Sequence, residues 1–292
     1  MTDQIQRFTF ANLPIRGEII SLQNSFQQIC EQHNYSPLVR HLMGEALAAT
    51  ALMTEIIKID GKIALQLQSP AFLKLLLTEC NHQGQLRGVM HTNDQISAKS
   101  DYQFDDWTQG GQMAITIEPE KGHRYQGVVS LDKNTLGECL QDYFTMSEQL
   151  PTYIKLFVSD DKVTGLFLQA LPQSEDSPTT REQAFEHVTA LAETLKTDEA
   201  LELEHQDILY RLFHQDEVTL FPPKALEFQC SCSRERNEQA LLTVQASELM
   251  SLVKEQNGQI EMVCDFCNKQ EVFTEQHIID LITNSPSSEQ VN

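Results

Sequence analysis

Basic residues are scarce in this sequence of 292 residues: 21 Lys and Arg stand against 42 Asp and Glu, a net charge of -21. The pI is near 4.7, and the chain lacks the cations that nucleic-acid binding needs to neutralise phosphates. No nucleic-acid partner is expected, and anionic membrane surfaces are disfavoured for the same reason. Long apolar runs are missing too, since none reaches the roughly 18 residues of a membrane span. The start, Met1-Thr-Asp-Gln-Ile-Gln-Arg-Phe8, has no basic region followed by an apolar stretch, so no secretory signal is read there. The expectation is a cytoplasmic protein without a membrane partner, in a compartment that keeps thiols reduced. Catalytic signatures are absent as well: no GxxxxGK[ST], HExxH or GxSxG pattern occurs. The histidines do not cluster, and His82, His91, His205 and His214 read as surface or hairpin residues. Gly110-Gly111 reads as a turn. No catalytic residue is assigned, and no enzyme is expected.

What is present is a globular pattern, 40% hydrophobic. Glu18 to Gln32 reads as an amphipathic helix. Ser36-Pro37 opens a second, with Ser as N-cap and Pro at the first helical position. Its wide apolar face, with Leu38, Leu42, Met43, Ala46, Leu47, Ala49, Leu52, Met53 and Ile56, predicts burial against a sheet. Ile63, Leu65 and Leu67 alternate with polar residues as in a half-buried strand. Leu73–Cys80 with Leu86–His91, Met113–Glu118 with Arg124–Leu131, and Thr152–Val158 with Val163–Ala170 read as hairpins. Thr135 to Leu150 reads as a helix between the last two. Hairpins dominate, so the fold class is α+β, a mainly antiparallel sheet with helices packed on it, spanning residues 1–172.

Composition shifts at Leu171-Pro-Gln-Ser-Glu-Asp-Ser-Pro178. Residues 173–229 carry 13 acidic and 4 basic residues and read as a helical acidic linker. Phe185, Val188, Leu191 and Leu195 form one apolar stripe; Leu201, Ile208, Leu209, Leu212 and Phe213 form another. Glu182/Glu186 and Asp198/Glu202 are like-charge i,i+4 pairs, and Asp207/Arg211 is the attractive one. Either an ordinary pair of solvated helices or a metastable connector fits this composition.

Of seven cysteines, Cys30, Cys80 and Cys139 are scattered. The other four fall in Cys230-Ser231-Cys232 and Cys264-Asp265-Phe266-Cys267, with 31 residues between the pairs. Four thiolates in two close pairs suit tetrahedral zinc, one ion per chain, in a C-terminal module of residues 230–292. Arg234, Arg236 and Lys269 flank the ligands and would partly neutralise a zinc tetrathiolate. Two β-strands, Ile260–Val263 and Gln270–Phe273, flank the second pair, and Thr274 caps a final helix. A chance cluster, a structural zinc site and a redox-active site all remain open. The first pair is CxC, which can close on itself as a disulfide where the backbone allows it. A thioredoxin-like role for the CxxC pair has no βαβ context around it.

At these residues the sequence resembles the redox-regulated heat-shock protein 33 family of bacterial holdase chaperones. The resemblance rests on Cys-Ser-Cys-Ser-Arg-Glu-Arg at 230–236 and Cys-Asp-Phe-Cys at 264–267. It extends through Glu45-Ala-Leu-Ala-Ala49, Gly84-Gln-Leu-Arg-Gly88, Arg124-Tyr-Gln-Gly127 and Ser147-Glu-Gln-Leu-Pro-Thr152. One departure is Asn237, where some members carry a further cysteine. The resemblance implies a reduced, zinc-bound, inactive form in the cytoplasm. It implies Cys230–Cys232 and Cys264–Cys267 disulfides on oxidation, zinc release and linker unfolding. It also implies homodimerisation and ATP-independent binding of unfolding client proteins.

Overall fold

The computed structural model describes residues 2–93, 103–172 and 180–284. Most of the proline-flanked boundary, 173–179, lies outside the described residues. Internal contacts divide the chain into two compact units, Met1–Gln229 and Cys230–Asn292.

The larger unit opens with strands β1 (Gln4–Phe10) and β2 (Ile15–Leu22), then helices α1 (Asn24–Gln32) and α2 (Pro37–Ile57). Strands β3 (Gly61–Gln68), β4 (Leu73–Asn81) and β5 (Gln85–Thr92) follow, then a short α3 (Phe104–Thr108). Next come β6 (Gln112–Pro119), β7 (Tyr125–Ser130), α4 (Leu136–Ser147), β8 (Thr152–Val158) and β9 (Val163–Ala170). Three helices, α5 (Arg181–Glu193), α6 (Thr197–Glu202) and α7 (His205–Phe213), lead to short strands β10 (Val218–Leu220), β11 (Lys224–Ala225) and β12 (Glu227–Phe228). One sheet has the order β10-β1-β2-β9-β8, with β11 also on β1; the other runs β12-β5-β4-β3-β6-β7. Every pairing is antiparallel except β12 on β5. The fold is α+β, as the hairpins predict.

Helix α2 touches strands of both sheets, β2, β8 and β9 of the first and β3, β4 and β5 of the second. Its alanines and threonines let both come close: Thr50 Oγ1 lies 2.6 Å from Thr78 Oγ1 and donates back to the Ala46 carbonyl. That explains the apolar face, which is too wide for a helix lying on one sheet.

The helix expected from Glu18 begins only at Asn24. Glu18–Leu22 are strand, central in their sheet between β1 and β9, with Ile19, Ile20 and Leu22 buried on alternate faces. A strand buried on both sides loses the period-2 signal and mimics a helical run. The start of α1 is capped from far away. The Asp3 carboxylate accepts from the amides of Gln23, Asn24 and Ser25 at 2.6, 2.9 and 2.6 Å.

Helices α5–α7 are helical as read, but residues 218–228, read with them, form β10–β12. The three helices cover the outer face of the first sheet in a second core: Phe8, Ile19, Leu166 and Leu168 meet Val188, Ile208, Leu209 and Phe213. The stripe on α5 is rotated from the one expected. Ala184, Val188 and Ala192 are buried, while Phe185 and Leu191 are only partly so. Arg211 pairs with Glu199 on α6 at 2.6 Å, not with Asp207. His205, read as a surface residue, is buried, its ring bonded to Ser21 and Gln6. His91 and His214 are exposed, and His82 is half-buried in the turn before β5.

Candidate metal centre

The smaller unit holds α8 (Arg234–Leu242), α9 (Ala246–Glu255), the hairpin β13 (Gln259–Val263) and β14 (Gln270–Thr274), and α10 (Glu275–Asn284). Its core is small: Leu241, Leu249, Val253, Ile260, Phe273 and Ile278. Asn257 and Gly258, at φ 57° and 89°, turn the chain from α9 into β13 in the left-handed conformation that Asn and Gly tolerate. Thr274 Oγ1 accepts the His277 amide at 3.4 Å at the start of α10.

Cys264 and Cys267 sit in the turn of that hairpin. The Cys264 amide donates to the Lys269 carbonyl at 3.0 Å, and the Asn268 amide donates to the Cys264 carbonyl at 2.8 Å. Asn268 takes the left-handed conformation that closes so tight a turn, φ 54°, which Asn tolerates better than most residues. Cys230 and Cys232 lie in the irregular segment before α8. Ser233 caps that helix by accepting the Arg236 amide at 3.3 Å. Arg236 reaches back to donate to the Ser231 carbonyl and hydroxyl at 2.9 and 2.7 Å, holding the CxC segment in place.

The two motifs meet. Cys230 Sγ lies 3.6 Å from Cys264 Sγ, and Cys232 Sγ lies 3.4 Å from Cys267 Sγ. All four sulfurs fall within 4.8 Å of one another. A regular tetrahedron with zinc–sulfur bonds of ~2.3 Å has sulfur–sulfur edges of about 3.8 Å. The four sulfurs therefore fit one tetrahedral ion. Among the described residues this is the one group of three or more His, Cys, Asp or Glu side chains placed to hold a metal ion.

The thiols titrate as neighbours. Burial pushes Cys230 up, but the Cys232 amide and the adjacent thiols outweigh it and leave it below the usual thiol value. Burial holds Cys232 and Cys267 above it; at Cys232 the Cys267 and Cys230 thiols add to the rise, while at Cys267 the Lys269 amide and the Cys232 thiol oppose it. Four thiolates this close repel one another unless a cation joins them. The remaining cysteines differ in kind. Cys30, Cys80 and Cys139 are buried, and burial pushes Cys30 and Cys80 up to about 12.

The flanking cations are largely engaged elsewhere. Glu271 receives Arg234 at 3.2 Å and Lys269 at 2.8 Å, and Arg234 also covers the Phe273 ring at 4.5 Å. Glu238 receives His277 at 2.9 Å. Glu238, Glu271 and His277 thus brace the site: Arg234 reaches Glu238 one turn on at 3.5 Å, a local i,i+4 spacing, whereas the Arg234–Glu271 and Glu238–His277 pairs join residues far apart in the chain.

Residues 3–274 match the family model described as Hsp33 protein. The chain is 42% identical over 286 residues to a 33 kDa chaperonin of Shewanella sp. (strain ANA-3), covering 98% of each. It is 42% identical over 277 residues to the 33 kDa chaperonin of Pseudoalteromonas atlantica, covering 94% of this chain and 93% of that one. The crystal structure of the 33 kDa chaperonin from Thermotoga maritima shares the fold, with a TM-score of 0.77, 22% identity and coverage of 97% and 98%.

Proposed function

The chain belongs to the Hsp33 family, a family of chaperones, and from that premise we propose that it is a redox-regulated holdase. The observation that carries the reading is the convergence of Cys230, Cys232, Cys264 and Cys267 in a unit with few other means of support. A unit of this size rarely gains more than a few kcal/mol from its core, whereas structural zinc supplies on the order of 10–16 kcal/mol. In the reduced protein the four cysteines hold one zinc ion. Bound there, the ion would keep the sulfurs as thiolates and cross-link the CxC segment to the hairpin.

Oxidant converts these ligands. In each pair one sulfur is oxidised by peroxide to a sulfenic acid, and the second sulfur displaces the hydroxyl as water. Each disulfide thus costs two thiol hydrogens and one peroxide, which leaves as two waters. The pairs are Cys230–Cys232 and Cys264–Cys267, which stay neighbours in sequence even after the unit loosens. With no thiolate left, Cys230, Cys232, Cys264 and Cys267 could no longer hold zinc, and the unit unfolds. The linker, residues 173–229, follows and uncovers the apolar face it shares with the first sheet. Unfolding client proteins bind there without ATP, and the active form is a homodimer in the cytoplasm. The charge of -21 keeps such an opened molecule dispersed. This is a binding role and not a catalytic one.

The test measures zinc and free thiols before and after peroxide, beside suppression of aggregation of a chemically unfolded protein. One zinc and seven thiols per chain should become no zinc and three thiols as suppression rises. Zinc loss with no gain in suppression would overturn the switch.

A further inference from the structure

We propose that His205 is a proton-sensitive latch: adding a second proton to its buried ring releases helix α7 from strands β1 and β2 and loosens the acidic connector with all four site cysteines still reduced. The release itself stands on geometry alone; its effect on client binding rests on the proposed function.

His205 opens α7 and is 2% exposed. Its Nδ1 lies 2.8 Å from Gln6 Oε1 on β1, and its Nε2 lies 2.8 Å from Ser21 Oγ on β2. The Gln6 amide orientation is fixed from its far side, where Nε2 donates to the Phe221 carbonyl at 3.0 Å. Gln6 therefore presents a pure acceptor to the ring, and Nδ1 must carry the hydrogen. Nε2 is bare and accepts the Ser21 hydroxyl. One neutral tautomer thus satisfies three side chains and joins the connector to both strands.

A proton on Nε2 breaks this arrangement. The imidazolium can only donate, so Ser21 loses its acceptor, and a charge is created inside the sheet–helix core. Among the described residues, nothing nearby compensates it. Gln6 and Ser21, which face the ring, are uncharged. Arg7 and Glu18 stand at neighbouring positions on β1 and β2 with the opposite strand parity. Arg7 lies over the Phe221 ring, His187 on α5 pairs with Asp216, and Glu199 on α6 pairs with Arg211. Glu204 and Asp207, beside the ring in sequence, do not shift it either. Burial alone lowers His205, from 6.5 to about 4. A histidine depressed on folding supports the fold fully above its unfolded value and loses that support as pH falls toward its folded one. The window here runs from about 6.5 down to about 4. By linkage these two values make opening of α7 roughly thirty-fold more frequent at pH 5 than at pH 7.5.

The experiment uses the full-length, reduced, zinc-loaded protein and its His205→Gln variant, whose amide offers a donor and an acceptor but does not titrate. Hydrogen exchange of residues 205–213 is measured at pH 7.5 and 5.0, corrected for intrinsic exchange. Zinc, free thiols and aggregation suppression are followed in the same samples. The wild type should open roughly thirty-fold more at pH 5 and gain suppression without oxidant, while the variant should not change. An equal rise in both proteins, or none in the wild type, overturns the latch. Should the variant fail to fold, ring chemical shifts of His205 in the wild type decide: titration near the ordinary value overturns the latch, and a depressed midpoint accompanied by α7 opening supports it. If α7 opens at pH 5 with no gain in suppression, the latch stands and the connector is not what covers the client surface. Failure of peroxide to activate either protein at pH 7.5 counts against the proposed function alone.

Discussion

Glu18 lies in the middle of a sheet, 1% exposed, and neither carboxylate oxygen has a hydrogen-bond partner among the described residues. Burial, and then the charge of Glu55, hold its acid well above the usual carboxylate range, with Arg16 and Arg7 pulling weakly the other way. An acid raised on folding contributes most when protonated. Its contribution is full below the unfolded value, near 4.5, and is lost as pH rises through the folded one. Glu18→Leu should therefore raise stability at pH 8 by about 1–3 kcal/mol and do less at pH 5, as read by urea melts at both values. A gain that does not depend on pH would mean that packing, not protonation, sets the cost. The cysteines make the opposite kind of prediction. Cys264→Ser or Cys232→Ser should abolish tight zinc binding, whereas Cys139→Ser, at a buried and scattered position, should leave it intact. Full zinc retention in either ligand variant would remove the four-thiolate assignment.

At the scale of elements, helices α5–α7 stay in place through their buried face. Like-charge repulsion matters less than the sequence suggests. Glu182 and Asp198 both fall in first helical turns, where negative charge is favourable. Glu202 is paired with Lys162 at 3.1 Å. Trimming the buried face should therefore be more effective than changing surface charge. Leu209→Ala, at a position 3% exposed on α7, should cost about 2–5 kcal/mol. It should lower the oxidant dose needed for aggregation suppression while zinc affinity stays normal. An unchanged dose response, with hydrogen exchange confirming that α7 is loosened, would separate connector stability from activation. The elements themselves were unequally legible in the sequence. Strands β3 to β9 alternate or flank Gly- and Asp-containing turns, so residue pattern is enough to find them. Strand β2 hid behind Ile19, Ile20 and Leu22, buried on both faces, and β10–β12 are too short for any period. The Asp3 cap on α1 and the burial of His205 depend on partners far away in the chain. In the candidate site, spacing alone marked the four cysteines that converge. The Arg234–Glu271 and Glu238–His277 bracing was not legible, because those pairs join residues far apart in the chain; only Arg234/Glu238, at i,i+4, has a local spacing.

At the scale of the whole molecule the two units draw on different sources of stability. The larger one carries two extensive cores; among the described residues, the smaller one has six buried apolar side chains beside its sulfur cluster. Chelating the metal under reducing conditions should thus act selectively. Residues 230–284 should lose hydrogen-exchange protection by several orders of magnitude, while β3 and β4 keep theirs. Uniform loss of protection across both units would show that they do not fold independently.

The way the connector is sewn in has a mechanical consequence. Its C-terminal end consists of two- and three-residue strands attached to β5 and β1, and β12 is the last of them before Cys230. Such short strands hold by a few hydrogen bonds, and under the proposed switch an unfolded C-terminal unit beyond them would tug on the outermost rung first. Release would then run like a zipper from its open end: β12, then β11 and β10, then the helices, with each step shortening the clamp that guards the next. Partial opening would be reversible as long as one rung held. A seam built in this order lets brief disturbances close again and commits the molecule only when the pull persists.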